Sequence, residues 1–281
     1  MVASRILERG AREPGLLRLL NHNIFSLNAD WERRRDVLAA EISALEPDVV
    51  FLQESMVTPD HDHTTDILGD GWRVAHSATR ASDGGGISIA SRWPIEQVHE
   101  LDLKGVSDRT HDFACTTLLA EVRAPEPFGT LLVVNHFPDY HTTHEVERER
   151  QTVIAARAVE ARLERGFAHV LLGGDLDAEP DAASLRFLAG KQSLEGMSVC
   201  YQNAWDACHL GEPGHTFTPE NPLAPRMWPF RRIDHILVRC GEDDMPTLEI
   251  AACELVGDQP VDGIWASDHF GLVADFRPRT D

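Results

Sequence analysis

The chain has 281 residues, and its 46 acidic and 26 basic side chains give a formal net charge of −20 at pH 7. A protein that holds a long phosphate backbone usually carries a basic face, so this charge disfavours a nucleic-acid partner without excluding one. Hydrophobic residues make up 42% and charged residues 26%, which is typical of a globular chain and excludes a disordered one.

No apolar run approaches the ~18 residues that a membrane helix needs, and the N-terminal residues contain no apolar signal core. The five cysteines are scattered and form no CxxC or CxxH pair, which favours reduced thiols. We therefore expect a cytoplasmic, monomeric protein with no membrane-spanning segment. We expect an N-terminal extension over residues 1–15 and a single domain over residues 16–278, since no segment has the composition of a linker.

The first elements form a strand–helix–strand unit. A short apolar strand over residues 17–20 runs into Asn23, and Pro47 ends a helix that precedes a second apolar strand over residues 49–52. The second strand ends at Glu54. Four apolar residues at helical spacing predict the helix between them: Val37, Leu38, Ile42 and Leu45.

The glycine triplet at residues 84–86 precedes a strand over residues 87–90. It lacks the Lys-Ser/Thr of a phosphate-binding P-loop and opens no helix, so a tight hairpin turn is the better interpretation.

A second strand–helix–strand unit follows. A strand over residues 131–134 ends at Asn135-His136, and another over residues 170–172 ends at Gly173-Gly174-Asp175. Thr142 and Glu145 have the spacing of a capping box for the helix between them. The repeat suggests an internal two-fold arrangement, although strand–helix–strand units with polar ends are common.

Three further strands are predicted over residues 233–238, 248–255 and 270–276, and the Pro-rich segment 219–229 is interpreted as a surface loop over a site. Many short strands and few helices around one core predict an α/β fold with two packed sheets and helices outside.

Polar groups follow the apolar strands, and such strand ends meet at one edge of a sheet. The polar residues at these ends are Asn23, Glu54, His136, Asp175, Asp177, Asp234, Asp268 and His269. Groups so rich in oxygen suit a hard cation such as Mg²⁺ or Mn²⁺. Each motif alone is weak, because a strand that ends in Asp is common.

The ordered set resembles the endonuclease/exonuclease/phosphatase superfamily, which includes pancreatic-type DNases, neutral sphingomyelinases and inositol-polyphosphate 5-phosphatases. The resemblance runs from about residue 17 to residue 276 and is carried by Asn23-Ile24, Gln53-Glu54, residues 84–95, Asn135-His136, residues 174–177 (GDLD), residues 232–238 (RIDHILV) and residues 267–269 (SDH). It implies a four-layered α/β sandwich and a divalent-metal-dependent hydrolase of phosphate esters.

The resemblance also implies a metal site. Glu54 would bind the principal ion, Mg²⁺ or Mn²⁺, and Asp268 would assist it. Asn23 would help to position the metal's shell or the phosphate.

Four further residues receive catalytic roles from the resemblance. Asp175 would orient or deprotonate the attacking water, and His269 would contact the scissile phosphate with Asp234 bonded to it. His136 would be a second phosphate contact or the acid for the leaving group. An imidazolium held by an aspartate can stabilise the charge that develops on phosphorus-bound oxygens.

Asp177 departs from the family pattern, which usually has Asn at this position. Asn donates a hydrogen bond to a phosphate oxygen, whereas an ionised Asp cannot. Asp177 could be protonated in a crowded acidic site, could be an extra metal ligand, or could mark an altered substrate. We rank the extra ligand first and count Asp177 among the catalytic residues.

Two residues are assigned to substrate binding. Arg231 and Arg232 precede Asp234 and could grip an anion, although a solvated strand end is the alternative; of the two we select Arg232. Trp228 could form an aromatic wall or pack under the loop.

The expected function is a phosphodiesterase that acts on a small or lipid-like substrate. The alternatives are a nicking DNA endonuclease and a catalytically impaired binding protein with the same fold.

Overall fold

The structure is a computed structural model that describes residues 14–28, 30–110, 114–167 and 169–279. Residues 1–13 of the predicted N-terminal extension lie outside this part of the chain. Among the described residues, no helix is long and apolar enough to cross a membrane.

The described strands, in chain order, are β1 (Leu17–Asn23), β2 (Val49–Met56), β3 (Arg73–His76), β4 (Gly85–Ser91), β5 (Ile95–Asp102), β6 (Thr116–Arg123), β7 (Thr130–Phe137), β8 (His169–Asp175), β9 (Tyr201–Asn203), β10 (Asp234–Arg239), β11 (Leu248–Val256) and β12 (Gly271–Pro278). The α-helices are α1 (Trp31–Leu45), α2 (His63–Leu68), α3 (Glu145–Leu163), α4 (Ala183–Leu188) and α5 (Ala204–Cys208), and a 3₁₀ turn covers Lys104–Val106.

The strands form two six-stranded mixed sheets, with the orders β11-β12-β1-β2-β4-β3 and β5-β6-β7-β8-β10-β9. In each sheet the third and fourth strands are parallel, and every other neighbouring pair is antiparallel. The parallel pairs, β1 with β2 and β7 with β8, are the two predicted strand–helix–strand units. The matching order confirms the two-fold arrangement of the topology.

The two sheets pack face to face, with helices on the outside. Leu19 and Phe51 of the first sheet meet Val133 of the second in the core between them. Val50 faces outward under α1, and Leu132 faces outward under α3. Strands that are buried on both faces lack the polar alternation of a surface sheet, which explains their nearly continuous apolar runs. The predicted four-layered α/β sandwich is confirmed.

One edge of the sandwich collects the polar strand ends. β1 ends at Asn23 and β8 ends at Asp175, while β10 begins at Asp234 opposite Asp175. Asp268 and His269 directly precede β12, which is antiparallel to β1. The topology therefore brings residues that are far apart in sequence to one place.

The helix α3 begins later than the capping box predicts. Its N-cap is His144, which makes no side-chain capping bond, and Glu145 is its first residue. Glu145 Oε1 instead accepts hydrogen bonds from the backbone N and the hydroxyl of Ser184, both at 2.8 Å. The predicted cap by Thr142 is wrong because Glu145 is used to dock α4.

The predicted hairpin turn is shorter than the glycine triplet. Gly84 lies in the turn with φ +89°, but Gly85 and Gly86 already belong to β4. A Cβ on Gly86 would lie 2.8 Å from Arg80 Cγ, so this glycine permits a close approach of the Arg80 side chain.

Candidate active site

A cavity of about 440 Å³ lies at the edge where the polar strand ends meet. It is lined by Phe25, Glu54, Tyr140, Asp175, Asp177, Phe217, Leu223, Pro225, Trp228, Arg231, Ile233, Asp268 and His269. Carboxylates and one histidine form one part of its wall, and aromatic and aliphatic side chains form the other. This size and mixed lining are typical of sites for small molecules.

Glu54 reaches the cavity because β2 is irregular at this point. The pairing of β2 with β4 shifts between Leu52 and Ser55, and Glu54 has φ +50°, in the left-handed region. Bulges of this kind re-aim a side chain next to a site. Here the bulge supplies a carboxylate at the cavity instead of between the sheets.

Asn23 holds two of the carboxylates together. Its Nδ2 donates to Glu54 Oε1 at 3.1 Å and to Asp175 Oδ2 at 2.9 Å. Its Oδ1 accepts from the backbone N of Phe25 at 3.1 Å. Since both ends of the amide are engaged, Asn23 positions the carboxylates around it.

Asp175 is positioned by the close approach of β8 to β7. A Cβ on Gly174 would lie 1.9 Å from the carbonyl oxygen of His136, so only glycine fits at this position. The close approach of β7 and β8 places the buried Asp175 carboxylate at the cavity floor. The predicted motif of Gly173, Gly174 and Asp175 thus has a packing reason as well as a chemical one.

His269 lies between two carboxylates. Its Nδ1 is 3.0 Å from Asp234 Oδ2, and its Nε2 is 3.8 Å from Asp175 Oδ2. Burial alone would lower the pKa of His269, but Asp234, Asp175 and Asp268 together raise it well above its ordinary value. The three carboxylates therefore favour the imidazolium form of the ring, and Asp234 fixes its orientation.

The cavity carboxylates repel one another. Burial, with the neighbouring Asp268 second, raises the pKa of Glu54 to about 7. Burial also raises the pKa of Asp175 to about 6 against the opposing effect of His269, and it raises the pKa of Asp268. Such crowded oxygen ligands are a donor set that fits a hard divalent cation, because the ion removes the repulsion between them.

Asp177 lies in the same cavity and is buried. It has φ +47°, its backbone N donates to Asp175 Oδ1 at 3.2 Å, and its carbonyl accepts from Arg231 Nη2 at 3.1 Å. Burial and the adjacent Asp175 raise the pKa of Asp177 well above its ordinary value. This environment favours the neutral carboxylic acid, which can donate a hydrogen bond.

The Pro-rich loop covers the site as predicted. Leu223, Pro225 and Trp228 line the cavity, and Asn221 Nδ2 donates to the carbonyls of Ser267 and Asp268 at 2.8 and 3.2 Å. The amide therefore ties the loop to the segment that carries Asp268.

Trp228 is part of the aromatic wall of the cavity. Its ring lies edge-on to Phe217 with 6.1 Å between centroids, and the Arg231 guanidinium lies 5.3 Å from its centroid. The aromatic-wall interpretation of Trp228 is the one that the structure supports.

The structure brings together seven of the ten predicted site residues at the cavity or in direct contact with its lining: Asn23, Glu54, Asp175, Asp177, Asp234, Asp268 and His269. Trp228 is an eighth.

His136 and Arg232 do not line the cavity, so the structure gives no support to their predicted contacts with substrate. His136 faces away from the cavity, with Nδ1 2.7 Å from Thr117 Oγ1 and Nε2 3.4 Å from Thr152 Oγ1. Burial lowers the pKa of His136 to about 3, so it is a neutral core histidine. Arg232 is buried and pairs with Asp206 at 2.5 Å, whereas its neighbour Arg231 lines the cavity.

Several lining residues were not among the predicted site residues. Phe25, Tyr140 and Phe217 come from loops, where no periodicity marks a facing side chain, although Tyr140 follows the Asn135-His136 motif closely. Arg231 was considered together with Arg232, but the sequence did not show which of the two arginines faces the cavity.

Arg34 supports the cavity from below and was also missed. Its guanidinium is buried and donates to the carbonyls of Ile24 and Ala266 at 3.0 Å and of Asn28 at 2.8 Å. It thereby joins the segment that follows β1 to the segment that precedes Asp268.

The fold and this site define a class of metal-dependent hydrolases that act on phosphoric esters. Residues 20–269 match the Endonuclease/Exonuclease/phosphatase family, and the chain belongs to it. The resemblance inferred from the sequence is thereby confirmed. No curated protein matches the chain.

Solved structures show the same fold at low sequence identity. TDP2 from Caenorhabditis elegans aligns with a TM-score of 0.74 and 18% identity, covering 94% of this chain and 77% of that one. D. rerio TDP2 complexed with single strand DNA product aligns with a TM-score of 0.72 and 19% identity, covering 93% and 99%. The human Nocturnin catalytic domain with bound sulfate anion aligns with a TM-score of 0.71 and 18% identity, covering 94% and 95%.

Proposed function

We propose that this hydrolase is a Mg²⁺- or Mn²⁺-dependent phosphodiesterase that acts on a small or lipid-like phosphodiester. The observation that carries the proposal is the meeting of Glu54, Asp175 and the Asp234–His269 pair in one cavity of about 440 Å³. We also propose that residues 16–278 act as one monomeric domain in the cytoplasm.

The cation would be held by Glu54 and Asp268, with Asn23 fixing the carboxylate of Glu54. The bound ion would neutralise charge on the phosphoryl oxygens and polarise the phosphorus centre. Carboxylate ligands favour a hard ion, which is why we name Mg²⁺ or Mn²⁺.

Asp175 would take the proton from the attacking water. Its pKa of about 6 leaves it ionised, and therefore basic, at neutral pH. Its orientation is fixed by Asn23 and by the backbone N of Asp177.

His269 would donate a hydrogen bond to a phosphoryl oxygen and stabilise the negative charge that grows there. The Asp234 carboxylate keeps the ring charged and holds Nδ1, so that Nε2 points toward Asp175 and the cavity. Preorganised donors of this type contribute several kcal/mol to catalysis.

Asp177 would act as a neutral donor in the place of the family's Asn. The support is the raised pKa of this buried carboxyl beside Asp175. Our first-ranked interpretation, an extra metal ligand, stays the alternative, because a bound cation would favour the ionised carboxylate of Asp177 as it would that of Glu54.

The proposed substrate class rests on the side chains that line the cavity and on the net charge of the chain. Phe25, Phe217 and Trp228 offer apolar surface to a group attached to the phosphate, and Arg231 adds a cation beside them. A net charge of −20 works against a long polyanion, whose binding relies on many basic contacts.

The test is a metal-dependent assay with three substrates: bis-p-nitrophenyl phosphate, a short-chain phosphodiester lipid and supercoiled plasmid. We expect release from the first two with Mg²⁺ or Mn²⁺, and a loss of at least 10²-fold in His269→Ala. The matched control is His61→Ala, which removes an exposed imidazole outside the cavity. If none of the three substrates is turned over, the proposal is refuted and the binding-protein alternative is favoured.

A nicking DNA endonuclease is the second candidate. It is favoured by the aromatic rim of Tyr140 and Trp228, which could stack bases, and by the fold shared with a protein solved with a DNA product. Nicking of plasmid at a higher kcat/KM than that for the small esters would decide for it.

A further inference from the structure

A second cluster of metal-ligating side chains lies outside the candidate active site. Asp139, His141 and His144 occupy the segment between β7 and α3, and their ligand atoms all lie within 4.8 Å of one another. None of the three lines the active-site cavity. We propose that this cluster is a separate binding site for a transition-metal ion such as Zn²⁺.

The donor set selects a different ion from that of the active site. Two imidazole nitrogens and one carboxylate are ligands typical of Zn²⁺ and its neighbours, whereas the active-site carboxylates suit Mg²⁺ or Mn²⁺. Three protein ligands also leave a coordination position open to water, as in many zinc sites.

The three side chains are close to ligand geometry. Asp139 Oδ1 lies 2.9 Å from His144 Nδ1, and the rings of His141 and His144 have centroids 4.5 Å apart and a 49° tilt. Metal–ligand bonds of about 2.0–2.2 Å place neighbouring ligand atoms about 3–3.5 Å apart. The cluster therefore needs only a small closure of the side chains.

Burial and access also fit an ion. Asp139 and His144 are buried, with 1% and 8% of their surfaces exposed, while His141 is partly exposed. An ion would enter past His141 and would be shielded from water on the other sides. Two buried ligands lower the effective dielectric constant, which strengthens the attraction between the ion and Asp139.

The backbone of the cluster is held in place by the first turns of α3. Arg148 Nη1 donates to the carbonyls of Asp139 and His141 at 3.0 and 2.6 Å, and Gln151 Oε1 accepts from the backbone N of Asp139 at 2.9 Å. Asp139 Oδ1 also accepts from the backbone N of His141 at 2.9 Å, so the carboxylate is already oriented toward the two imidazoles. Such fixed backbones reduce the entropy that binding would otherwise cost.

The cluster adjoins the active site through one residue. Tyr140 lies between two of the ligands in sequence, stacks on the His141 ring with 4.0 Å between centroids, and lines the active-site cavity. Occupancy of the cluster would therefore fix the position of Tyr140 at the mouth of the cavity. Metal binding at the cluster itself does not depend on the proposed function.

The experiment measures binding of Zn²⁺ and Co²⁺ to the metal-free full chain without an affinity tag. Zn²⁺ affinity is obtained by competition with a chromophoric chelator, and the visible absorption of Co²⁺ reports its coordination by nitrogen and oxygen. The variants are His141→Ala and His144→Ala, with His61→Ala as the matched control. Glu54→Gln removes a ligand from the other site.

We expect His141→Ala and His144→Ala to weaken one Zn²⁺ equivalent at least tenfold and to abolish its Co²⁺ absorption. Glu54→Gln and His61→Ala should retain that equivalent. His141 is partly exposed, so its variant remains informative even where loss of the buried His144 impairs folding. Zn²⁺ affinity and Co²⁺ absorption that are unchanged in His141→Ala would overturn the proposal and reduce the cluster to a structural Asp–His pair.

Discussion

Replacement of Asp234 by Asn tests whether the charge of this residue, and not only its shape, sustains the site. The substitution keeps the size of the buried side chain but removes a negative charge that lies 3.0 Å from His269 Nδ1. Unit charges about 4 Å apart interact by about 4 kcal/mol at an effective dielectric constant of about 20. Since one pKa unit corresponds to about 1.4 kcal/mol, the pKa of His269 should fall by up to about 3 units.

The fall in the pKa of His269 should lower activity at alkaline pH. With Asp234 the ring stays protonated well above its ordinary range, because Asp175 and Asp268 add to the same field. With Asn the ring loses its proton at lower pH than in the parent, so the donor to the phosphoryl oxygen is lost over more of the alkaline range. We expect kcat at pH 8 to fall by about 10²–10³-fold and the alkaline limb of the profile to move to lower pH.

The assay combines NMR titration of the His269 ring with the pH profile of kcat in the two proteins. Asp206→Asn is the matched control, because Asp206 pairs with Arg232 away from the cavity. A pKa of His269 that moves by less than half a unit in Asp234→Asn would refute the electrostatic reasoning. A normal profile despite a large shift would show that the charge of His269 is not used.

Four further predictions concern the cavity. Glu54→Gln should lower kcat/KM by about 10³-fold and abolish the rise in Tm that Mn²⁺ gives the parent protein, whereas retained Mn²⁺ stabilisation would place the ion elsewhere. Burial and Asp268 raise the pKa of Glu54 from 4.5 to about 7, so the stability that its protonated form contributes is present below pH 4.5 and lost as the pH rises through about 7. The metal-free protein should therefore lose about 3 kcal/mol of unfolding free energy over this range by urea titration, and Glu54→Gln should flatten that loss. Asp177→Asn should keep the activity of the parent at low pH and extend it to higher pH, and a collapse of Mn²⁺ affinity instead would make Asp177 a ligand. Trp228→Ala should raise KM for an aromatic ester about tenfold with a smaller change in kcat, and an equal loss for methyl esters would exclude stacking.

The sheet edge that holds the site could be predicted from sequence because topology alone determines it. Parallel strands that end in polar residues, such as β1 at Asn23 and β8 at Asp175, meet at one edge whatever the details of packing. The apolar runs that precede these ends reflect burial on both faces, and that signal is strong in a short window.

The sequence could not predict which face of a strand each side chain occupies, because these strands are buried on both faces. In β7, Leu131 and Val133 pack between the sheets while Leu132 and Val134 pack under α3, so the sequence shows no alternation. Without an alternation of polar and apolar residues, His136 could not be distinguished from a residue that faces the site. Its neighbour on the inner face, Asn135, bonds Gln53 between the sheets instead of lining the cavity.

The choice between Arg231 and Arg232 failed for a related reason. The two adjacent side chains point in different directions, and only the position of Asp206 on α5, which pairs with Arg232, distinguishes them. That contact joins segments far apart in the chain and leaves no local pattern.

The left-handed backbone conformation of Glu54 and Asp177 implies a conflict between thermal stability and catalysis. Side chains in this conformation cost about 1–2 kcal/mol each compared with glycine. A library of variants selected for heat resistance alone should accumulate glycine or asparagine at these two positions and lose turnover. Glycine at Glu195 or Asp244, which also have positive φ but lie outside the cavity, should stabilise the protein without that loss of turnover.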